Sequence, residues 1–221
     1  MKPTSDEIRK QDIVDQLTWD DSVDANDVSV SVRNGIAELK GSVPTYATKM
    51  AAERDAYLVT GIAAVENKLE IDFPSGITIP TDTEITGNVE SKLIWDSQIN
   101  ATGIKVETTN GVVTLSGVVD SYWEKNLAED LARNTSGVID VLNDLAVNLA
   151  KSIVDIDVEN DIKDAYRRSG LIDEEKISVN VNDGIVHLTG IVPNYLIKRQ
   201  AYNLAMYTAG VIDVIDDITI G

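Results

Sequence analysis

The sequence predicts an α+β protein written as three tandem αββαβ modules, each a small three-stranded sheet with two helices on one face. Three observations carry this. A ten-residue stretch beginning at Asn110, NGVVTLSGVV, has counterparts at Asn34 (NGIAELKGSV) and Asp183 (DGIVHLTGIV). Landmark residues recur at matched places around it: Gly35, Gly111 and Gly184; Gly41, Gly117 and Gly190; Tyr46, Tyr122 and Tyr195; Gly61, Gly137 and Gly210. The step is 76 residues from Gly35 to Gly111 and 73 from Gly111 to Gly184, with constant spacing inside each copy, so residues are lost only between copies. A fixed internal period of this kind means that one supersecondary unit accounts for the whole fold.

Each unit opens on a helix. Thr4 with Glu7, and Thr81 with Glu84, read as capping boxes; Ile13 and Leu17, or Ile85, Val89 and Leu93, then supply an apolar stripe. The third copy starts its helix at Asp155 or Asp157 and carries Val158, Ile162 and Tyr166. A polar connection follows with one apolar plug under the helix, Val23, Ile99 or Ile172. Alternation then marks a strand buried on one face: Val28, Val30, Val32; Ile104, Val106, Thr108; Ile177, Val179, Val181. Asn34-Gly35, Asn110-Gly111 and Asp183-Gly184 tolerate positive φ at both central positions of a tight hairpin. The second strand puts Ala37, Leu39 and Val43, with their counterparts, on the core face. Gly41, Gly117 and Gly190 share that face, where a missing side chain admits a helix or permits a bulge.

A second helix opens near Pro44, Asp120 and Pro193, proline being tolerated in a first turn. Its alanine pairs, Ala52 and Ala56, Ala128 and Ala132, Ala201 and Ala205, suit a helix lying flat on a sheet. Gly61, Gly137 and Gly210 are candidate left-handed caps ending it. A third strand closes each unit through Val65, Leu69, Ile71; Val141, Leu145, Val147; and Val214, Ile218, Ile220. The modules are then 4–73, 81–148 and 155–221. The first linker, with Pro74, Gly76 and Pro80, reads as extended. The second carries Leu149, Ile153 and Val154, and apolar residues in a linker are usually covered. We therefore expect modules two and three to dock as a pair and module one to be attached more loosely.

Composition bounds the function. With 37 Asp and Glu against 19 Lys and Arg, a net charge of −18, the surface repels phosphate backbones, so no nucleic-acid partner and no purely electrostatic membrane docking is expected. There is no cysteine, which removes disulfides, thiol catalysis and zinc–thiolate sites. The charged start, MKPTSDEIRKQDIVDQL, has no signal-peptide core, and no stretch has the length and apolarity of a transmembrane helix. The expected location is cytoplasmic as written, or periplasmic if a leader was removed before the numbering begins.

The pattern Val-x-Val, Asn-Gly, Leu-x-Gly-x-Val, an alanine-bearing helix, then Gly-Val-x-x-Val-x-Asn-x-Leu resembles the BON domain of bacterial osmotically inducible and nodulation proteins. The second copy matches best, with Gly137, Val138, Val141, Asn143 and Leu145 in the last element. Copy one has Ile62 after its glycine and keeps Asn67; copy three has Asp216 in the asparagine position. The resemblance implies a non-enzymatic, stress-associated module of the cell envelope, with a phospholipid or an envelope protein as partner. A scaffold acting through protein contacts without lipid is the alternative, and the oligomeric state stays open.

No residue constellation points to catalysis, a metal or a cofactor. His187 is the sole histidine, the glycines occupy turns and caps rather than a phosphate loop, and the paired acids Asp20-Asp21, Glu174-Glu175 and Asp216-Asp217 are out of register. The asparagine of the third strand is expected to tie down the strand end by hydrogen bonds. The candidate ligand or partner surface is aromatic: Trp19, Trp95, Tyr122 and Trp123. Trp19 and Trp95 fall at equivalent positions after the first helix, where the third copy has Arg168. For these two, a cap on the module's own core needs no partner and is the expected reading; for Trp123 the two readings balance. The sheet face away from the helices is more apolar in copies two and three (Val112, Val118, Ile185, Ile191) than in copy one, and interdomain packing is expected to cover it.

Overall fold

The computed structural model describes residues 4–24, 26–149 and 154–221. The first module runs α1 (Ser5–Trp19), β1 (Val28–Arg33), β2 (Ile36–Val43), α2 (Tyr46–Leu58) and β3 (Ala64–Ile71). The second repeats it as α3 (Asp82–Trp95), β4 (Ile104–Thr109), β5 (Val112–Val119), α4 (Tyr122–Arg133) and β6 (Asp140–Val147). The third follows as α5 (Asp155–Ser169), β7 (Ile177–Asn182), β8 (Ile185–Val192), α6 (Tyr195–Met206) and β9 (Asp213–Ile220). In each sheet the second strand is central, antiparallel to the first and parallel to the third. A parallel neighbour needs a crossover, and the alanine helix supplies it. Each module buries its own core, and Ala52, Ala56, Ala128, Ala132, Ala201 and Ala205 are fully buried between helix and sheet.

The hairpin turns adopt positive φ at both central residues, 53° and 75° at Asn34-Gly35, 52° and 77° at Asn110-Gly111, 50° and 76° at Asp183-Gly184. An acid at the start of the first helix holds each turn. Asp82 accepts from the amides of Asn110 and Gly111, Asp155 from those of Asp183 and Gly184, and Asp6 from that of Asn34. Thr4 and Thr81 form the two capping boxes, whereas α5 begins at Asp155 without a side-chain cap.

Three local expectations need correction. Gly41, Gly117 and Gly190 make room for backbone and not for a helix: a Cβ there would lie 1.8, 2.0 and 2.1 Å from the carbonyl oxygens of Asp27, Gly103 and Lys176. Pro44 and Pro193 precede the caps Thr45 and Asn194, so they lie outside the first helical turn. Gly61, Gly137 and Gly210 are left-handed, at φ 86°, 89° and 92°, but sit in the turn beyond the caps Val59, Asn134 and Tyr207.

The larger correction concerns assembly. Modules two and three do dock, yet module one is held by both. The same pair of positions makes all three junctions. Tyr57 near the end of α2 stacks on Tyr195 at the start of α6, with centroids 4.6 Å apart and planes 12° apart. Arg133, ending α4, lies 5.8 Å over the ring of Tyr46 at the start of α2. Tyr122, starting α4, is buried in the core cluster that contains Met206, the last residue of α6. By the internal period, Tyr57, Arg133 and Met206 are equivalent, as are Tyr195, Tyr46 and Tyr122. Each alanine helix therefore presents its start to the end of the next, and the cycle closes. Of the three apolar linker residues, Val154 is 62% exposed, Leu149 is half-buried and Ile153 lies outside the described residues. Nor do the modules cover one another's outer sheet faces, since Val118, Leu142, Ile191 and Ile215 remain exposed.

Candidate functional site

Trp19 and Trp95 are exposed to 84% and 86%, so neither caps a core. Helical geometry gives the reason. The buried stripe of α1 is Ile13 and Leu17 and that of α3 is Ile85, Val89 and Leu93. Each tryptophan follows the last stripe residue by two positions, which is about 200° of helical rotation and so the opposite side. Ile94 beside Trp95 is exposed as well, and Arg168 and Leu171 are exposed at the corresponding corner of the third module.

Tyr122 and Trp123 lie elsewhere, at the junction of the three modules. The Tyr122 hydroxyl is 3.1 Å from that of Tyr202, which donates to Asn126 Oδ1 at 3.3 Å, and the ring of Trp123 lies 6.4 Å from that of Tyr207. Burial, and then the neighbouring Tyr202 hydroxyl, push the Tyr122 pKa up; burial does the same to Tyr202, so both act as neutral phenols. Around them the three alanine helices line a partly open cavity of about 650 Å³, with Met50 and Glu53 from α2, residues of α4 including Glu129 and Arg133, and residues of α6 including Arg199. The structure thus separates the four aromatic candidates into two exposed corners and one shared cavity.

The asparagine of the third strand ties that strand to the alanine helix. Asn67 donates to Lys49 O and Glu53 Oε2, and Asn143 to Lys125 O and Glu129 Oε2, at 2.8–3.0 Å. In module three Asp216 holds the same place, and Lys198 reaches across to its carboxylate at 3.6 Å. His187 is half-buried on the outer sheet face. Among the described residues no three acidic, histidine or cysteine side chains gather to hold a metal.

Sequence reasoning passed over Asp55. Its side chain is 2% exposed at the α1–α2 contact, where the period puts Leu131 and Leu204 in the other modules. Arg54 donates to its Oδ1 and also pairs with Asp20 at 2.7 Å, while Asp55 Oδ2 is buried without a partner. Burial, and then the facing Asp20, raise the Asp55 pKa to about 6. An acid in a column of leucines was the available signal.

The profile of the BON domain matches residues 5–72, 81–148 and 155–221. Osmotically-inducible protein Y of Escherichia coli K12 is 36% identical over 128 residues, which are 57% of this chain and 64% of that protein. A 21 kDa hemolysin of Actinobacillus pleuropneumoniae is 33% identical over 116 residues, 52% of this chain and 59% of the hemolysin. The outer membrane lipoprotein DolP of Haemophilus influenzae is 36% identical over 110 residues, 49% of this chain and 56% of the lipoprotein. The chain thus spans less than two thirds of the length of each of these relatives. CdsD, a structural protein of the type III secretion system of Chlamydia trachomatis, overlaps 96% of this chain and 91% of its own at 15% identity, but a TM-score of 0.28 says nothing about how the modules are arranged.

Proposed function

We propose, for a chain that belongs to the BON domain family in all three of its modules, a stress-associated binding role without catalysis, exercised at a phospholipid surface or on an envelope component. The single observation that carries this reading is the pair of tryptophans at equivalent positions after the first helix of modules one and two, 84% and 86% exposed. Indole is amphipathic and suits the boundary between headgroups and acyl chains. At a net charge of −18, attachment to an anionic surface has to come from such apolar insertion, because the long-range field opposes it. Among the described residues no helix is long and apolar enough to cross a membrane, so this contact is peripheral. Likeness to an osmotically inducible protein and to an outer membrane lipoprotein supports both the stress association and a place on the envelope side of the inner membrane.

A second reading, a scaffold acting through protein contacts alone, is favoured by the open apolar sheet faces of modules two and three. Vesicle co-sedimentation separates the two. Pelleting with phosphatidylethanolamine–phosphatidylglycerol vesicles that is lost in Trp19→Ala and Trp95→Ala supports the lipid reading. No pelleting at any lipid composition leaves the scaffold.

A further inference from the structure

We propose that the cavity at the three-module junction is a binding site for a compact zwitterion carrying a methylated ammonium at one end and a carboxylate at the other. Five of the eleven aromatic residues of the chain, Tyr122, Trp123, Tyr195, Tyr202 and Tyr207, line this one cavity. Aromatic faces attract alkylated ammonium groups; Tyr195 is stacked on Tyr57 and Tyr202 already lies under Arg199, so Trp123 and Tyr207, with centroids 6.4 Å apart, are the rings that meet the ammonium. The cavity, at about 650 Å³, is of the size that takes small molecules.

The charges on its wall select the second end of the ligand. Arg133 is paired through its two terminal nitrogens with Glu129 and Asp130, while its Nε is buried without a partner. Glu53 on α2 and Arg199 on α6 have no ionic partner among the described residues; Glu53 accepts from Asn67 through Oε2, and Arg199 lies 5.3 Å over the ring of Tyr202. A simple cation would satisfy Glu53 and leave Arg199, and a simple anion the reverse. A zwitterion answers both at once.

The internal period shows that the site is single and has one orientation. At the position of Glu53 the other modules carry Glu129 and Tyr202, and at the position of Arg199 they carry Met50 and Asn126. The repeat is therefore broken on the cavity wall. The wall also draws on all three modules, so no isolated module contains the site.

Trp19 and Trp95 are exposed, and replacing both by phenylalanine leaves Trp123 as the only tryptophan and a reporter in the cavity wall. The full chain in that background is titrated at constant ionic strength with trimethylglycine, with choline (ammonium only) and with acetate (carboxylate only). The expected result is a saturable millimolar change in Trp123 emission with trimethylglycine, with each half-ligand weaker by at least about tenfold, as loss of one charged contact requires. Glu53→Gln and Arg199→Gln each weaken binding by about 10- to 100-fold. Arg199 is an exposed side chain, so Arg199→Gln keeps the test sound even if Glu53→Gln loosens the Asn67 contact. An absent response to trimethylglycine, an equal response to choline or acetate, or unaltered binding in Arg199→Gln overturns the proposal. Because the two exposed tryptophans are removed, none of these outcomes depends on lipid binding.

Discussion

Replacing Asp55 by leucine is expected to stabilise the protein at neutral pH and to stop doing so in acid. The carboxyl is buried with Oδ2 unpartnered, and its pKa rises from 3.8 to about 6. A difference of about two pKa units corresponds to about 3 kcal/mol between the two protonation states. The folded-state pKa is raised, so the folded chain holds the proton more tightly than the unfolded chain. The contribution is full below pH 4, falls as the pH climbs towards 6, and is gone above it. At pH 7 the buried carboxylate is therefore a cost. Asp20 opposes part of this trend, since hydrogen bonds from Ser22 hold its pKa below the usual value and its contribution fades in acid. Asp55→Leu installs the side chain that Leu131 and Leu204 provide in the other modules, and Arg54 keeps Asp20 as partner. The expected gain is about 1–3 kcal/mol at pH 7, shrinking below about 1 kcal/mol at pH 4. Urea unfolding of both proteins at the two pH values, followed by far-ultraviolet circular dichroism, measures it. A loss of stability at pH 7, or a gain independent of pH, would refute the reasoning.

Two further substitutions test the fold. Gly111→Val puts a β-branched residue at φ 77° with its Cβ 3.1 Å from Gly137 O, and is expected to cost at least about 1 kcal/mol, whereas Trp95→Ala should leave the melting curve unchanged. Equal melting curves would remove the role given to the turn. Tyr195→Ala deletes the stack on Tyr57, worth about 0.5–1.5 kcal/mol beyond its buried area, and should open the ring at the junction of modules one and three. Small-angle scattering should then show a larger radius of gyration and proteases should cut sooner between residues 72 and 83; an unchanged radius would mean that the other two junctions suffice.

Within a module nearly everything was legible, because the signals are local and repeated. Alternation in Val28–Val32, the Asn34-Gly35 pair and the alanines of α2 each specify geometry over a few residues, and three copies remove the ambiguity of one. What failed depended on surroundings. Gly41 could be seen to need its missing side chain, but the carbonyl of Asp27 that demands it comes from pairing across the sheet. The exposure of Trp19 was there to be read from its distance to Leu17, and was missed because a large apolar side chain was assigned to the nearest core. The clamp of Asp6, Asp82 and Asp155 on the turns was also legible as a constant 28-residue spacing to Asn34, Asn110 and Asp183. The ring was not legible: Tyr57, Arg133 and Met206 occupy one position with three chemistries, stacking, cation–π contact and apolar burial, so no sequence pattern announces that they do the same job.

The head-to-tail order of the alanine helices carries a consequence for assembly size. A contact in which the start of one unit meets the end of the next is heterologous, and such contacts either close on themselves or propagate without limit. Here three units on one chain complete the circuit, so both halves of this contact are consumed internally. Removing one module would leave a complementary start and end on every shortened chain. Those ends would have to find each other between molecules, giving closed oligomers or open filaments.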